Sequence, residues 1–446
     1  MGRLTAALAR PVYSLLMRAV VAPLLPLRLK WRARAESLYG QSISQRYGFY
    51  DAALQLGDGP RLWLHAVSLG ETRAAEPLLR ELRALRPDLR LILTHGTATG
   101  REAGQALLRD GDVQLWLPID TPGAVRRFLR RWQPWVGVLM ETEVWPNLQH
   151  ETTCAGVPMV LVNGRLSERS LAKSLRLDAL MRPAAASLAE VLAQTTDDAS
   201  RFSLAGAPHV RPVGNLKFDM SPDPGLLARG AGWRAALERH SPGRLVVLAA
   251  SWREGEDADL IAAWRAWSEV RVGEGHLRPL LVVVPRHPQR FDEVAGLWQA
   301  AGFRVARRSV WGEGGPGEAD VQADVWLGDS MREMPAYYAL ADVALLGGSF
   351  ACLGGQNLIE AAACGCPVIA GPHTFNFAEA MVAAIEESAA IEVPDVSAAL
   401  ASIDVDRDRQ TVASGQQRRT QASAFAAAHR GAAHRMARHV LDHLGG

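Results

Sequence analysis

The chain has little lysine, and its charge is nearly balanced. Of its 49 basic residues only Lys30, Lys173 and Lys217 are lysines, and the other 46 are arginines. Arginine suits phosphate groups because its guanidinium forms two parallel hydrogen bonds, although a GC-rich genome produces the same bias. With 47 acidic residues the formal net charge is only +2, so we do not expect the chain as a whole to bind a polyanion such as nucleic acid.

The chain also lacks a disulfide framework and a metal-binding motif. Four cysteines in 446 residues fit a reducing compartment. Two of them stand as Cys364-Gly365-Cys366, which is closer than the spacing of common zinc-binding pairs. No aspartate-rich metal motif occurs in the second half of the chain. The sequence therefore predicts no metal site.

No apolar run is long enough to span a bilayer. The first 46 residues carry eight basic side chains and one acidic side chain. Their apolar runs, residues 11–17 and 19–27, are divided by Arg18, and neither reaches the ~20 residues that a spanning helix needs. A basic, apolar segment that bears Trp31 suits the surface of an anionic membrane, so we predict that residues 1–46 are membrane-associated. The alternative is a helix that packs on the protein itself.

Short continuous apolar runs alternate with longer helical patterns along the rest of the chain. Such runs are typical of parallel strands that are covered on both faces. The predicted strands are residues 61–67, 90–94, 113–117, 135–140, 158–162 and 190–194 in the first half, and 244–250, 279–284, 304–306, 324–327, 342–346 and 367–370 in the second. This alternation predicts an α/β protein with two doubly wound domains.

The boundary between these domains is predicted near residues 214–243, which contain two proline- and glycine-rich loop signals. The predicted organisation is the N-terminal segment 1–46, a first domain over 47–220, a linker over 221–243, a second domain over 244–406 and a C-terminal helix over 407–446.

The first candidate site lies where predicted strand 61–67 ends. Ser68, Gly70 and Glu71 follow this strand and precede an amphipathic helix. Ligands of open α/β sheets bind at the carboxyl ends of strands, and glycine there permits close backbone approach. A carboxylate at a helix N-terminus is also a common cap. Glu71 is therefore either a functional carboxylate or a capping residue.

Two further carboxylates follow predicted strand 135–140. Glu141 and Glu143 stand beside Trp145 and Pro146, which makes an unusual strand exit. They are interpreted either as part of a substrate pocket or as groups that form loop and cap hydrogen bonds.

In the second half, Arg286 follows predicted strand 279–284 and lies between prolines, on a rigid turn that suits contact with a phosphate. Glycines at 347, 348, 354 and 355 follow strand 342–346 and lead to a helix that is predicted to begin near Asn357. A glycine loop before a helix N-terminus forms a phosphate cradle from backbone N–H groups. Glu360, one turn into this helix, is placed to accept hydrogen bonds from ribose hydroxyls.

Five segments, in this order, resemble the 3-deoxy-D-manno-octulosonic acid (Kdo) transferases of lipopolysaccharide biosynthesis. They are HAVSLGETRAA at residues 65–75, ETEVWPN at 141–147, GNLKFD at 214–219, PRHP at 285–288 and NLIE at 357–360. The resemblance runs from the basic N-terminal segment through Phe377. Two residues differ from the family pattern: Arg332 stands where glycine is common, and Gln356 stands where histidine is frequent.

The resemblance implies a GT-B glycosyltransferase, with two Rossmann-like domains facing a cleft and the N-terminal segment at the cytoplasmic face of the inner membrane. It implies transfer of Kdo, with inversion, from CMP-Kdo to the lipid A precursor lipid IVA, without a cofactor. Glu71 becomes the proton acceptor. The residues implied to contact CMP-Kdo are Pro285, Arg286, Met331, Arg332, Glu333, Asn357, Leu358, Ile359 and Glu360.

Two other functions are compatible with these patterns. One is a GT-B enzyme for another activated sugar, either a transferase or a sugar-nucleotide epimerase. The other is a catalytically inactive scaffold for envelope assembly. The joint presence of Glu71, Arg286, Asn357 and Glu360 argues against the scaffold, which has no need of these groups together. If Glu71 is only a cap, Glu143 is the next candidate for the base.

Overall fold

The computed structural model describes residues 2–312, 314–408 and 412–444. The chain divides into two α/β units. Unit 1 comprises Met1–Met220 together with His429–Gly446, and unit 2 comprises Ser221–Ala428.

Unit 1 is built on a parallel sheet. Its strands are β1 (Arg61–His65), β2 (Arg90–His95), β3 (Val113–Trp116), β4 (Val136–Met140), β5 (Met159–Gly164), β6 (Glu190–Ala193) and β7 (Val210–Pro212). They are ordered β3-β2-β1-β4-β5-β6-β7. The chain order reverses between β1 and β4, so the loops that leave these neighbouring strands diverge. Such a switch point is where open α/β sheets bind their ligands.

Helices cover both faces of this sheet. The helices of the first 220 residues are α1 (Gly2–Leu16), α2 (Ala22–Arg32), α3 (Leu69–Leu85), α4 (Ala98–Gly104), α5 (Pro122–Trp132), α6 (Pro146–Cys154), α7 (Glu168–Arg176), α8 (Asp178–Ala186) and α9 (Thr196–Leu204). Side chains alternate between the faces of β1, so Leu64 packs in one core with Leu78 of α3, and Trp63 packs in another with Phe128 of α5.

Unit 2 repeats this architecture. Its strands are β8 (Val246–Trp252), β9 (Leu280–Pro285), β10 (Val305–Arg307), β11 (Val325–Leu327), β12 (Val343–Leu346), β13 (Val368–Ala370) and β14 (Ala390–Glu392). They are ordered β10-β11-β9-β8-β12-β13-β14, all parallel, and the chain order reverses between β8 and β12. The predicted pair of doubly wound domains is confirmed.

The remaining helices follow in chain order. They are α10 (Pro224–His240), α11 (Asp257–Gly273), α12 (Phe291–Ala300), α13 (Glu318–Val321), α14 (Met334–Leu340), α15 (Leu358–Ala363), α16 (Ala378–Glu386), α17 (Val396–Asp408), α18 (Val412–Ala428) and α19 (Ala432–Asp442).

Each of the twelve predicted strands overlaps an observed strand, and two observed strands, β7 and β14, were not predicted. Each of these has three residues, lies at a sheet edge and is partly exposed. A short, partly exposed strand has no continuous apolar run, so the pattern that identified the other strands is missing from it.

Residues 221–243 differ from the predicted linker, because α10 occupies most of them and belongs to unit 2. Asp223 caps this helix by accepting a hydrogen bond from the Gly225 N–H at 2.7 Å, and Pro224 takes the first helical position. The predicted C-terminal helix over 407–446 also differs. It contains α18, in unit 2, and α19, which returns to unit 1.

The N-terminal segment is helical from Gly2 to Arg32, with a π-helical turn at Met17–Val21. In contrast to the two short apolar runs expected from the sequence, its Leu8–Arg32 portion is one continuous helix that is long and apolar enough to cross a membrane by length and composition, with a mean hydropathy of 1.5 over an 18-residue window. One face nevertheless packs on unit 1. The Tyr13 hydroxyl donates to Asp120 Oδ2 at 2.9 Å, and the Ser14 hydroxyl donates to Asn147 Oδ1 at 2.6 Å.

The rest of this helix surface exposes large apolar side chains, which we call the apolar stripe. Its residues are Leu8, Val12, Leu15, Leu16, Val20, Leu24, Leu27 and Trp31. Their spacing of three or four residues keeps them along one side of the helix. The segment therefore has both features that the sequence left as alternatives: it packs on the protein, and it presents an unpartnered apolar surface.

We expect α19 to be necessary for the stability of unit 1. Its Met436 and Val440 are fully buried in the same core as Leu78. Replacing Met436 with Ala should lower the free energy of unfolding by about 2–5 kcal/mol, because it leaves a cavity. Arg438→Ala, on the exposed side of α19, should change it by less than about 0.5 kcal/mol. Urea unfolding measures both variants. Equally small effects would show that α19 does not complete this core.

Candidate functional site

Glu71 lies in the first turn of α3, just beyond the carboxyl end of β1. Its Oε2 accepts a hydrogen bond from the Val67 N–H at 2.7 Å, and its Oε1 accepts one from the Ser68 hydroxyl at 3.1 Å. Ser68 is the N-cap of α3, and its Oγ accepts from the Glu71 N–H at 3.3 Å. Glu71 therefore participates in capping the helix, while its half-buried carboxyl lies beside the switch point of the sheet.

The surroundings of Glu71 favour its neutral form. Burial raises the pKa of its carboxyl to about 7, against the opposing effect of the Val67 N–H, and the nearby Glu141 and Glu143 raise it further. A carboxyl with this pKa is present in both protonation states near neutral pH. General bases work most effectively when their pKa lies near the operating pH.

Glu141 and Glu143 follow β4, the neighbour of β1 across the switch point. The backbone of Glu141 is left-handed, with φ of 58°, and Lys217 Nζ lies 3.8 Å from its Oε1. Trp145 Nε1 donates to Glu143 Oε2 at 2.7 Å. Burial raises the pKa of Glu143, although the Trp145 hydrogen bond opposes this. The structure thus brings the two predicted strand exits of the first domain together at one edge of the sheet.

Glu256 organises the glycine loop that follows β12 in unit 2. The residue is 2% exposed. Its carboxylate accepts backbone N–H hydrogen bonds from Arg253 at 3.0 Å, Gly348 at 2.9 Å, and Phe350 and Ala351 at 3.1 Å each. The N–H groups of Gly348, Phe350 and Ala351, in this part of the predicted phosphate cradle, are therefore already hydrogen-bonded to the Glu256 side chain. This role of Glu256 has no signal in the local sequence, because three of the four N–H groups lie more than 90 residues away along the chain.

Two glycines let loops of unit 2 cross closely. A Cβ at Gly347 would lie 2.4 Å from the Ser251 carbonyl oxygen, and one at Gly371 would lie 2.5 Å from the Ser349 carbonyl oxygen. Both distances are shorter than any contact that a side chain tolerates. These positions therefore require glycine for packing and not for ligand binding.

Helix α15 begins where the sequence predicts. Asn357 is its N-cap, and the Asn357 Oδ1 accepts from the Ile359 N–H at 3.1 Å. Leu358 and Ile359 are 1% exposed, so their side chains are buried in unit 2 and are not available to a donor substrate. Within the described part of the chain, the N–H groups of Gly354, Gln356 and Leu358 have no protein acceptor. These N–H groups are suited to a phosphate.

The other predicted donor contacts follow β9. Pro285 is buried at the end of this strand, and Arg286 is exposed directly after it. The Arg286 N–H donates to the Trp252 carbonyl at 2.9 Å. Its guanidinium has neither an ion pair nor a hydrogen bond with any described residue, so it is free to bind an anion.

The segment after β11 combines exposed and buried residues. Met331 and Arg332 are exposed, and Arg332 has a left-handed φ of 67°, the region that glycine favours. Glycine, which the resemblance implies at this position, adopts this conformation without strain. Glu333 is buried and accepts hydrogen bonds from Arg229 and, at 3.0 Å, from Arg308. Burial alone would raise the pKa of Glu333, but Ser330 and Arg308 together hold it below its ordinary value.

The predicted donor-binding residues thus follow strands that meet at one edge of the second sheet, since β11, β9, β8 and β12 are consecutive neighbours. Glu360 is half-buried in the first turn of α15. No group of three or more His, Cys, Asp or Glu side chains among the described residues is arranged to hold a metal ion.

Comparison with known proteins identifies the family. Residues 41–220 match the family model described as 3-Deoxy-D-manno-octulosonic-acid transferase (kdotransferase). The 3-deoxy-D-manno-octulosonic acid transferase of Bordetella pertussis is 46% identical over 447 residues, which cover 98% of this chain and 100% of that protein. The chain belongs to this Kdo transferase family. It is therefore a glycosyltransferase of lipopolysaccharide biosynthesis, and the predicted family and enzyme class are confirmed.

A more distant relative agrees. The 3-deoxy-D-manno-octulosonic acid transferase of Haemophilus influenzae is 35% identical, with 81% of this chain and 82% of that protein covered.

Solved structures establish the fold. A glycosyltransferase from Rickettsia africae is 12% identical, with a TM-score of 0.58, and the match covers 87% of this chain and 100% of that one. A UDP-GlcNAc 2-epimerase from Neisseria meningitidis is also 12% identical, with a TM-score of 0.54 and coverage of 86% and 99%. The predicted GT-B fold is confirmed. A transferase and an epimerase share it, so family membership, and not the fold, distinguishes between these two functions.

We expect Glu256 to be essential for the glycine loop. Glu256→Gln replaces a carboxylate with an amide whose NH₂ group would face N–H donors. The free energy of unfolding should fall by about 1–3 kcal/mol, because buried donors lose their acceptor. Glu254→Gln removes an exposed ion pair with Arg253 and should cost no more than about 1 kcal/mol. Thermal unfolding measures both variants. An equal effect of the two substitutions would contradict this role of Glu256.

Proposed function

We propose that this Kdo transferase moves Kdo from CMP-Kdo to lipid IVA and inverts the configuration at the anomeric carbon. The observation that carries the proposal is the Glu71 carboxyl, which lies at the switch point of the first sheet and has a pKa of about 7. The family resemblance gives the same residue the role of proton acceptor.

In the proposed reaction, Glu71 takes the proton from the acceptor hydroxyl as the hydroxyl oxygen attacks the anomeric carbon of Kdo. The bond between that carbon and the phosphate oxygen of CMP breaks, and CMP leaves as an anion. One base and one direct displacement produce inversion. The acceptor proton then passes from Glu71 to solvent.

The leaving phosphate needs positive charge in fixed positions. We propose that the unpaired Arg286 guanidinium and the N–H groups of Gly354, Gln356 and Leu358 supply it. Preorganised donors of this kind are often the largest contribution to catalysis. Since these groups can stabilise the departing anion, we expect the reaction to require no metal ion.

Glu71 is a better base than its two neighbours for structural reasons. Glu141 is paired with Lys217, whose Nζ lies 3.8 Å from its Oε1. Glu143 is hydrogen-bonded to the Trp145 indole. We therefore assign Glu141 and Glu143 to shaping the acceptor site and to raising the pKa of Glu71.

Replacing Glu71 with Gln should reduce kcat at least about a hundredfold, because a positioned base contributes about 10²–10⁴-fold to rate. The affinity for CMP should change little, since its proposed contacts lie in unit 2. Glu76→Gln, on the exposed side of the same helix, is the matched control and should retain the wild-type rate. Single-turnover rates and CMP binding by calorimetry measure these effects. A folded Glu71→Gln protein with a near-normal rate would place the base elsewhere, and Glu143 is the first alternative.

Stability provides a second measurement on the same variant. The pKa of Glu71 is raised from 4.5 to about 7 in the folded protein, so between these values the folded state binds more protons than the unfolded state. The contribution of Glu71 to stability is complete below about pH 4.5 and is lost as the pH rises through about 7. Glutamine has no such loss. The melting temperature of Glu71→Gln relative to wild type should therefore increase between about pH 5 and about pH 8.

We further propose that the protein binds the cytoplasmic face of the inner membrane through the apolar stripe. The exposed Arg18, Arg28, Lys30 and Arg34 accompany this surface and suit anionic lipid headgroups. Because another face of the same helix packs on unit 1, we propose that the helix lies on the membrane and does not span it.

Charged substitutions in the apolar stripe should release the protein from membranes. The triple variant Leu16→Glu, Leu24→Glu and Leu27→Glu changes exposed side chains, so unit 1 should remain folded. Leu204→Glu, at an exposed position elsewhere in unit 1, is the control. Flotation with phosphatidylethanolamine–phosphatidylglycerol vesicles measures binding. Undiminished flotation of the folded triple variant would show that another surface binds the membrane.

A further inference from the structure

Three arginines and two aromatic rings form a cluster at the base of the N-terminal helix. The rings of Tyr39 and Trp116 stack with centroids 6.0 Å apart and planes inclined by 12°. The guanidinium carbon of Arg32 lies 5.2 Å from the Tyr39 centroid, and those of Arg46 and Arg101 lie 4.3 and 4.8 Å from the Trp116 centroid. We call these five residues the arginine cluster. Its rings hold the three guanidinium groups in place.

The positive charge of the arginine cluster is not neutralised. None of its arginines forms an ion pair with a described residue. Arg46 donates one hydrogen bond, from Nη2 to the Gly96 carbonyl at 3.1 Å, and Arg101 Nη1 is buried without a hydrogen-bond partner. Burial lowers the pKa of Arg46 to about 10, and Arg101 and Arg32 lower it further, against an opposing effect of Tyr39. Such an arrangement costs free energy until an anion binds.

The arginine cluster borders a cavity of 280 Å³ in unit 1. Arg32, Tyr39 and Arg46 line one part of it, and the helix side is lined by Met17, Val21, Leu25 and Leu29. The carboxylate that lines this cavity, Asp120, is fully engaged. Its oxygens accept from the Tyr13 hydroxyl and from two N–H groups of the α6 start, at 2.9, 3.2 and 2.7 Å. It forms no ion pair with the arginines of the cluster.

The cavity ends at the segment that precedes the candidate base. Val67 lines it, and the Val67 N–H is the group that donates to Glu71 Oε2. Apolar walls and unneutralised guanidinium groups therefore line this cavity, and the proposed base lies beside one of its lining residues, Val67. A ligand that matches all three has an apolar part, an anionic group and a nucleophilic hydroxyl.

We propose that the arginine cluster binds a phosphate monoester group of an amphiphile whose apolar part lies against the walls of this cavity. This inference rests on the proposed function, because it identifies the amphiphile as the acceptor glycolipid and the arginine cluster as its phosphate subsite. Guanidinium groups bind phosphate through paired, charge-assisted hydrogen bonds, and two of them match a dianion. Arg32 and Arg46, which line the cavity, are then the donors that the phosphate meets, and Arg101 adds positive charge from its place over the Trp116 ring.

Binding is tested first without catalysis, on the full chain in a neutral detergent. The probes are dodecyl phosphate and inorganic phosphate, and calorimetry measures their Kd values. Arg46→Gln and Arg32→Gln should each bind dodecyl phosphate at least about tenfold more weakly than wild type, the loss expected for a charge-assisted hydrogen bond. Arg130→Gln, an exposed arginine of α5, is the matched control and should bind like wild type.

Three outcomes of the binding measurement overturn the proposal. Unchanged affinity of both cluster variants would show that the arginines do not bind the phosphate. Inorganic phosphate that binds as tightly as dodecyl phosphate would show a plain anion site without an apolar component. A marked fall in melting temperature for both variants would assign the arginines to folding, because removal of an unpaired buried charge should preserve or raise stability.

Kinetics then identify the source of the phosphate group. Arg32→Gln should raise the KM for lipid IVA about tenfold or more and leave the KM for CMP-Kdo unchanged. With an acceptor whose phosphate groups have been removed enzymatically, wild type and variant should have equal KM values. An unchanged KM for lipid IVA, despite weakened dodecyl phosphate binding, would assign the site to a bulk phospholipid and overturn the acceptor subsite while leaving the proposed function intact. A wild-type protein that transfers no Kdo would instead refute the proposed function.

Discussion

Because the strands of each sheet are parallel, the loops that follow them lie at one edge of the sheet. In both units a glutamate lies at that edge, and its hydrogen bonds decide whether it fixes a loop or can take up a proton. A Gly-Glu pair follows the first strand of each sheet: Gly70-Glu71 after β1 and Gly255-Glu256 after β8. Glu256 accepts four backbone N–H groups and fixes a loop. Glu71 accepts one N–H group and one hydroxyl, so its carboxyl remains able to take up a proton near pH 7. The same pair of residues thus fixes a loop in unit 2 and, in the proposed mechanism, supplies the base in unit 1.

The two units also differ in whether their partly buried charged groups have partners of opposite charge. In unit 2, Glu333 is neutralised by Arg229 and Arg308, and these residues hold the segment after β11 in place. In unit 1, three carboxyls collect at the switch point, and the arginine cluster has no acidic partner. Keeping unpaired charge partly buried costs stability, and the groups that carry this cost are those to which we assign acceptor binding and proton transfer.

The sequence predicted the elements whose signals are local. Twelve strands have continuous apolar runs, and Glu71 stands directly after one of them. The start of α10 was interpreted as a loop because Pro224 and Gly225 are turn residues, although proline at a first helical position is also a helix signal. The return of α19 to unit 1 has no local signal. Apart from the Arg253 N–H, the N–H groups that the Glu256 carboxylate accepts from lie 92 to 95 residues away along the chain. The arginine cluster likewise joins residues between positions 32 and 116. Only the tertiary fold reveals these two sets of contacts.

The central claim is that burial and two neighbouring carboxyls make Glu71 a base adapted to neutral pH. The most direct measurement is the dependence of kcat/KM for the acceptor on pH between about 5 and about 9, at saturating CMP-Kdo. The account predicts a rate that rises with pH through an apparent pKa of about 7, because only the deprotonated carboxylate accepts the proton. A rate independent of pH over this range would contradict it, since a carboxyl with an ordinary pKa is already fully ionised there.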